Sequence, residues 1–263
     1  MSRRNGRAGI VCAALAVCLT VGTTLPIPAS AMLSRYKLGP ITRRDFTSRN
    51  SSWATEETLK SRQTQPSVSV GDYVSFGSYR QSSSSTTKTA IEWQVLDVDG
   101  SKALLISRYC LDCVQFNSSQ KEVKWDCSTV RQWLNDTFLY NAFSSDERSH
   151  IQETDIETKS NPYYGISGGS DTCDKVFLLS MDEAEKYFCN DEDRRANATS
   201  YAKAQGAQVY TQGAWWRLRS PGMFDYSVTS VYASGKISTD GDAVSDYGCA
   251  IRPAIWVDTS AID

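Results

Sequence analysis

The sequence predicts an α+β domain, on three observations. Short stretches that alternate apolar and polar residues, typical of half-buried strands, occur towards both ends of the region between residues 67 and 258. Capping-box patterns, which mark the starts of helices, lie between those stretches. Long loops rich in Gly, Ser and Pro separate the elements, and no internal repeat is visible. We therefore expect short twisted sheets, two to four short helices and long loops.

The strands are predicted from apolar patterns. Tyr73–Phe76 alternates apolar and polar side chains, and apolar residues recur between Ile91 and Val98. The Asp99-Gly100 pair is a strong tight-turn pattern, which makes Ala103–Ile106 the returning partner of a hairpin. The apolar run Val176–Leu179 is predicted to be a buried strand.

The helices are predicted from their caps. Three helix starts are predicted where a Ser or Thr is followed three positions later by Glu or Gln, which is the capping-box pattern. These pairs are Thr129 with Gln132, Ser144 with Glu147, and Ser180 with Glu183. A further short helix is expected over Ala198–Gln205, ended by Gly206. The stretch Lys159–Asp171 is expected to be a long loop.

The C-terminal block is the most distinctive part of the chain. Ala214–Gly222 (AWWRLRSPG) and Gly248–Val257 (GCAIRPAIWV) are strand candidates that carry aromatic residues and arginines, and they bracket the hairpin-like stretch Tyr232–Ser238. Because proline cannot donate a ladder hydrogen bond, Pro253 predicts a bulge or a sheet edge in the last strand.

The first 66 residues do not fit the domain pattern. Arg3, Arg4 and Arg7 precede the apolar stretch Ala8–Val21, and Ala29-Ser30-Ala31 is a small-residue cleavage site. This order predicts a secretory signal peptide over residues 1–31, because the apolar stretch is too short for a membrane span. Residues 32–66 are predicted to be a flexible polar leader, residues 67–258 the domain, and residues 259–263 a tail. We expect a secreted or envelope-facing protein without a transmembrane segment after signal cleavage.

The charge balance argues against a nucleic-acid partner. The signal peptide holds three of the 28 basic residues and none of the 30 acidic ones, so its removal leaves 25 against 30 and a net charge of −5. Nucleic-acid binding needs clustered Lys and Arg on one face, and no long basic run remains.

The cysteines predict structural disulfides. Six remain outside the predicted signal peptide: Cys110, Cys113, Cys127, Cys173, Cys189 and Cys249. An even number in an exported chain is typical of a disulfide set, whose connectivity the sequence does not determine. The pair Cys110 and Cys113 has redox-motif spacing but no βαβ pattern around it, and no second pair is spaced to complete a zinc site.

The chain resembles a family. With the upstream stretches Gly71–Gln81, Ile91–Ser107, Ser128–Asn135 and Asp174–Ala184, the C-terminal block resembles a bacterial extracellular family of unknown function, the DUF6273 type, over roughly residues 67–258. Its tail is similar to the C-type-lectin-like fold shared with formylglycine-generating enzymes and phage or retroelement variable proteins. The resemblance implies a ligand site near the Trp-Arg segment. The positions it indicates are Trp215, Trp216, Arg217, Arg219, Asp225 and Tyr226.

Strand geometry divides these candidates between a core role and a binding role. Adjacent strand residues point to opposite faces, so one of Trp215 and Trp216 is expected in the core while the other is presented outward. Arg217 is expected to share a face with Trp215, and Arg219 with both. The alternative is that the tryptophans and Arg219 are framework, with Arg219 paired internally to an acid. The loop at Tyr163-Tyr164 is a second, weaker binding candidate.

Catalytic patterns are missing from the sequence. The single histidine, His150, lies in a predicted helix without a G-x-S-x-G nucleophile motif, and neither a P-loop nor a dinucleotide motif occurs. The cysteines on which formylglycine-generating enzymes rely are absent from Trp215–Gly222. We therefore assign no catalytic residue. Calcium is the one cofactor left open, at Asp240, Asp242 and Asp246, although Asp-Gly pairs favour an ordinary turn.

The leading hypothesis from the sequence is a non-catalytic binding module for a glycan or a protein ligand outside the cell. One alternative is an extracellular enzyme, either a hydrolase with a carboxylate pair or a distant formylglycine-type oxidase. The other alternative is a structural envelope protein.

Overall fold

A computed structural model describes residues 68–262, which combine small antiparallel sheets with short helices in an α+β arrangement. The predicted signal peptide and leader lie outside the described residues. The largest sheet has four strands in the order β1, β2, β3, β11. Their bounds are Tyr73–Arg80, Lys88–Asp99, Lys102–Ser107 and Ala254–Asp258. The three strands predicted between residues 73 and 106 are therefore confirmed, and the last strand is terminal in the sheet, as Pro253 immediately before it predicts.

Three smaller sheets complete the strand content of the described residues. The first has the order β10, β9, β8, with β8 at Trp216–Pro221, β9 at Ser227–Val231 and β10 at Ile237–Ala243. The other two are pairs: β4 (Thr154–Ile156) with β5 (Thr172–Asp174), and β6 (Val209–Tyr210) with β7 (Gly213–Ala214). The hairpin expected around Tyr232–Ser238 is the turn between β9 and β10.

The helices are short and more numerous than predicted. Residues 68–262 contain six α-helical segments, where the sequence predicts two to four. They are α1 Thr129–Trp133, α2 Leu139–Ala142, α3 Ser145–His150, α4 Met181–Tyr187, α5 Asp191–Arg194 and α6 Ser200–Ala204. A π-helical turn, Leu134–Phe138, joins α1 to α2. None of the helices between residues 68 and 262 has the length and apolar character needed to cross a membrane.

The caps of α3 and α4 agree with the sequence, and that of α1 does not. Ser144 and Ser180 form complete capping boxes with Glu147 and Glu183. Helix α1 is capped by Ser128, one residue before the predicted Thr129, because the extended backbone of Ser128 lets its hydroxyl accept from the Arg131 amide at 3.3 Å.

The prediction of a buried strand over Val176–Leu179 is wrong, although all four residues are buried. Phe177 forms one isolated bridge with Ala254. The next two carbonyls accept from Arg219 instead: Leu178 O from Nη1 and Leu179 O from the backbone amide. The Arg219 side chain thus donates to a backbone carbonyl that, in a strand, would accept from a neighbouring strand.

The segment before β11 connects the two larger sheets. Ala250 bridges Trp216 at the start of β8, Ile251 bridges Asp112 after β3, and Ala254 bridges Phe177. The predicted tail is also packed, since Ile262 is 3% exposed. The C-terminal segment therefore lies in the core, next to the strand that carries the candidate residues.

Candidate binding site

An open pocket lies where the β6–β7 hairpin faces the turn between β9 and β10. Its volume is about 510 Å³, within the range of small-molecule sites. We call it the aromatic pocket. It is lined by Gln208, Tyr210, Gln212, Trp215, Tyr232, Ala233, Ser234 and Asp242. Three aromatic residues, two side-chain amides and one carboxylate thus share one concave surface.

Hydrogen bonds fix the polar ends of the lining residues. Trp215 Nε1 donates to Ser230 Oγ at 2.8 Å, and Ser230 Oγ donates to Asp242 Oδ2 at 2.6 Å. On the hairpin, the Tyr210 hydroxyl donates to Gln208 Oε1 at 2.9 Å. Because Ser230 is fully buried, the link between the tryptophan and the carboxylate is anchored in the sheet.

Two glycines allow the walls of the pocket to approach their neighbours. Gly235 has φ +88°, and a Cβ there would lie 1.6 Å from the Asp191 carbonyl oxygen. Gly248 has φ +102°, and a Cβ there would lie 2.7 Å from the side-chain nitrogen of Gln208. Gly235 combines a left-handed backbone with no room for a side chain, whereas at Gly248 the near atoms belong to the Gln208 side chain and the left-handed backbone is what favours glycine. The turn between β9 and β10 thus packs directly against the start of α5.

Asp242 is the titratable group of the pocket. Partial burial raises its pKa, while the hydrogen bond from Ser230 and the nearby charge of Arg217 oppose that rise. Arg217 itself is fully buried: its Nη2 donates to the Asp246 carbonyl at 3.4 Å, and Nε and Nη1 have no partner among the described residues. A hydrogen-bonded carboxylate thus lies beside an incompletely satisfied cation.

The structure separates the two tryptophans as strand geometry predicts. Trp216 has no exposed surface and donates through Nε1 to the Arg194 carbonyl at 3.1 Å, so it belongs to the core. Trp215 is half-buried and lines the pocket. Arg217 lies near it, with the guanidinium carbon 5.9 Å from the centroid of the indole ring.

Arg219 is part of the framework and does not line the aromatic pocket. It pairs with Glu183 and donates to the carbonyls of Leu178 and Glu157 at 2.7 and 2.9 Å. The framework alternative therefore agrees with the structure for Arg219 and Trp216, but not for Trp215, which lines the pocket. The side chain instead reaches a polar cleft of about 270 Å³ beside α4, which contains Asp155, Glu157, Asp182 and Glu183.

The other predicted ligand positions lie outside the aromatic pocket. Asp225 forms an ion pair with Lys124, and Tyr226 stacks on Phe224 with ring centroids 5.1 Å apart. Tyr163 is 64% exposed, and the Tyr164 hydroxyl donates to Asp240. None of these exposed aromatic residues lines the aromatic pocket with Trp215.

The three calcium candidates, Asp240, Asp242 and Asp246, do not form one ligand set, although the charge of Asp246 lies near enough to Asp242 to raise its pKa. Asp240 accepts from Tyr164, whereas Asp242 accepts from Ser230 inside the aromatic pocket. In residues 68–262, no group of three or more His, Cys, Asp or Glu side chains is placed to hold a metal ion.

The structure does not support the predicted disulfide set. All six candidates, Cys110, Cys113, Cys127, Cys173, Cys189 and Cys249, are free thiols. Cys110 and Cys249 are buried near Cys113, whose Sγ lies 3.6 Å from the Cys249 carbonyl oxygen, while the other three are exposed on separate elements. Burial raises the pKa of Cys110 to about 12 and that of Cys249 further still, so both stay protonated at neutral pH.

Sequence reasoning missed most of the pocket lining. Gln208, Tyr210 and Gln212 lie on a hairpin of two-residue strands, and Tyr232 lies in the turn after β9. The only sequence pattern that points to them is the concentration of glycines and aromatic residues that flanks the Trp-Trp-Arg segment.

Comparison with protein families matches residues 100–259 to one family, described as "Domain of unknown function (DUF6273)". The match covers more than half of the chain and includes every residue that lines the aromatic pocket. Comparisons with curated proteins and with solved structures gave no match.

Proposed function

The chain belongs to the DUF6273 family, whose description names no activity, and on this premise we propose that it is a non-catalytic module that binds a carbohydrate in the aromatic pocket. The proposal includes the finer expectations from the sequence. The domain would have a C-type-lectin-like fold and act outside the cell, secreted or facing the envelope.

The composition of the pocket wall supports this proposal. Trp215, Tyr210 and Tyr232 offer aromatic surface to the apolar C–H faces of a sugar ring. Gln208, Gln212 and Asp242 offer donors and acceptors to its hydroxyl groups. The volume of about 510 Å³ suits one or two sugar units, and the open mouth suits the end of a longer chain.

The same wall favours binding over hydrolysis. Glycoside hydrolysis in its usual form needs two carboxyl groups at a defined separation, and Asp242 is the single carboxylate that lines the pocket. A formylglycine-type oxidation needs a reactive thiol, and burial keeps the Cys249 thiol protonated. Of the four acids in the cleft beside α4, Glu183 pairs with Arg219 and Asp182 pairs with Lys159.

The test is a glycan array with the purified protein, followed by calorimetry on the best hit, with calcium and with chelator. We expect saturable binding that weakens at least about tenfold in Trp215→Ala, because loss of one stacking side chain costs about 1.4 kcal/mol or more. Tyr163→Ala is the matched control, since this exposed aromatic residue does not line the pocket. A blank array with folded protein, or equal loss in both variants, would contradict the proposal.

A further inference from the structure

A second cavity, which we call the arginine pocket, lies between the β1–β3 sheet and α5. Its volume is about 380 Å³, and it shares no lining residue with the aromatic pocket. The lining residues are Tyr73, Gln94, Arg108, Tyr109, Glu192, Asp193, Arg195, Ala196, Asn197 and Arg252. Three arginines therefore meet in one cavity, and they differ in how their charges are balanced.

Two of these arginines are neutralised by a neighbour. Arg108 pairs with Glu92 at 3.3 Å, and Arg195 pairs with Glu192 at 3.4 Å. Arg252 has no carboxylate partner among residues 68–262. It is only 2% exposed, so its charge is also shielded from water.

The bonds that hold Arg252 do not neutralise it. Nε donates to the Ser107 carbonyl at 2.9 Å and Nη1 to the Arg194 carbonyl at 3.3 Å, and the guanidinium lies 5.1 Å from the centroid of the Trp216 ring. No described residue accepts from Nη2. Burial lowers the pKa of this arginine to about 10, the direction expected for a cation that lacks a counter-charge.

The rest of the wall indicates which kind of anion would fit. The side-chain amides of Gln94 and Asn197 line the pocket and make no hydrogen bond to other described residues. Asp193 adds a negative charge at the same cavity, beyond the Glu192 carboxylate that balances Arg195, and this disfavours a dianion such as phosphate. Arginine donors match the geometry of a carboxylate, and a monoanion avoids most of the repulsion.

We propose that the arginine pocket binds a small carboxylate, with Arg252 as its counter-charge and the amides of Gln94 and Asn197 as additional donors. The ligand is a compact organic acid or the C-terminal carboxylate of a peptide, which present the same group. This site is independent of the aromatic pocket, and either proposal can fail without the other.

The test is a titration of the full chain with each anion at constant ionic strength. Binding is monitored through the chemical shifts of the backbone amide resonances in NMR spectra. Acetate represents an organic acid, N-acetylglycine a peptide terminus, and inorganic phosphate the competing anion. We expect saturable shifts with the carboxylates, largest at residues 108–109 and 195–197 around the pocket. Arg252→Lys, which keeps the charge but loses the forked donor, should weaken binding about tenfold or more.

Two further variants protect the test against a folding defect in Arg252→Lys. Asn197→Ala removes an exposed donor and should weaken binding about threefold, because a single neutral hydrogen bond contributes little. Arg80→Gln, an arginine bonded to loop carbonyls elsewhere, should bind as the wild type does. Phosphate shifts as large as those of acetate, shifts spread over the surface, or unchanged affinity in both pocket variants would each overturn the proposal.

Discussion

Two arginines of strand β8, Arg217 and Arg219, differ in how fully their guanidinium groups are paired. At the Arg219 end, Nη1 and Nη2 both bond to Glu183 and to backbone carbonyls, and only Nε is left without a partner. Two nitrogens of Arg217 have no partner among the described residues, and the third makes one long bond, to the Asp246 carbonyl. Its charge also acts on Asp242, which lines the aromatic pocket. The two residues are both buried and are separated by a single leucine.

Within one strand, Arg219 is thus paired to an acid in the framework, whereas Arg217 keeps unpaired nitrogens. Removing the counter-ion of a buried charge is strongly destabilising, whereas a buried charge with incomplete partners already carries a desolvation cost that its contacts do not offset. Arg219 is therefore a structural residue, whereas Arg217, which lacks full pairing, is a candidate for a role beside the aromatic pocket. The difference between the two arginines predicts changes in the free energy of unfolding, from a large one for the Glu183 variants to a small one for Asp242→Asn.

The largest effect is expected from breaking the pair at the Arg219 end. Glu183→Ala should lower the free energy of unfolding by about 3 kcal/mol, because it leaves Arg219 as a buried charge without its counter-ion. Urea denaturation measures this loss. Asp182→Ala, the preceding residue with an exposed partner, Lys159, should cost less than about 1 kcal/mol.

Because Glu183 also completes the capping box of α4, a second variant separates the two roles. Glu183→Gln keeps an acceptor for the Ser180 amide but removes the charge. A loss close to that of Glu183→Ala assigns the effect to the ion pair. Full stability in Glu183→Gln would show that the cap, and not the pair, matters at this end of the strand.

A smaller change in the free energy of unfolding is expected from the substitution of Arg217. Arg217→Met keeps most of the apolar volume and removes a buried charge that lacks full pairing, so the free energy of unfolding should change by no more than about 1 kcal/mol. Urea denaturation beside Glu183→Ala gives the comparison directly. A loss of several kcal/mol would mean that Arg217 has a strong partner, and the contrast along β8 would fail.

The smallest effect concerns pH. Partial burial raises the pKa of Asp242 in the folded protein above its unfolded value of about 3.9. The folded state then binds this proton more tightly, so the contribution of Asp242 to stability is best below about pH 4 and falls as pH rises through the raised pKa. The substitution Asp242→Asn removes this decrease in stability with rising pH.

The free energy of unfolding of Asp242→Asn, relative to the wild type, should therefore increase between about pH 4 and about pH 7. Urea denaturation at several pH values measures the difference, and Asp112, whose pKa is also raised by burial, is present in both proteins and cancels. A constant difference across this range would show that Asp242 is not perturbed.

Sequence reasoning was most accurate where the physics is local. The turn at Asp99-Gly100 and the caps at Ser144 and Ser180 depend on a few adjacent residues, and the structure has each of them. The division of Trp215 from Trp216 follows from the alternation of side chains along an extended chain. Val176–Leu179 was misassigned because an apolar run looks the same whether its backbone bonds to a strand or to an arginine.

The sequence by itself determined the α+β class, the main hairpin, the caps of α3 and α4, and the family, since these follow from patterns along the chain. Only the tertiary structure decided which tryptophan lines a pocket, which arginine has a counter-ion, and that Gln208, Tyr210 and Tyr232 meet around Asp242. Those facts depend on contacts between residues far apart in the chain, which packing creates and no local pattern encodes.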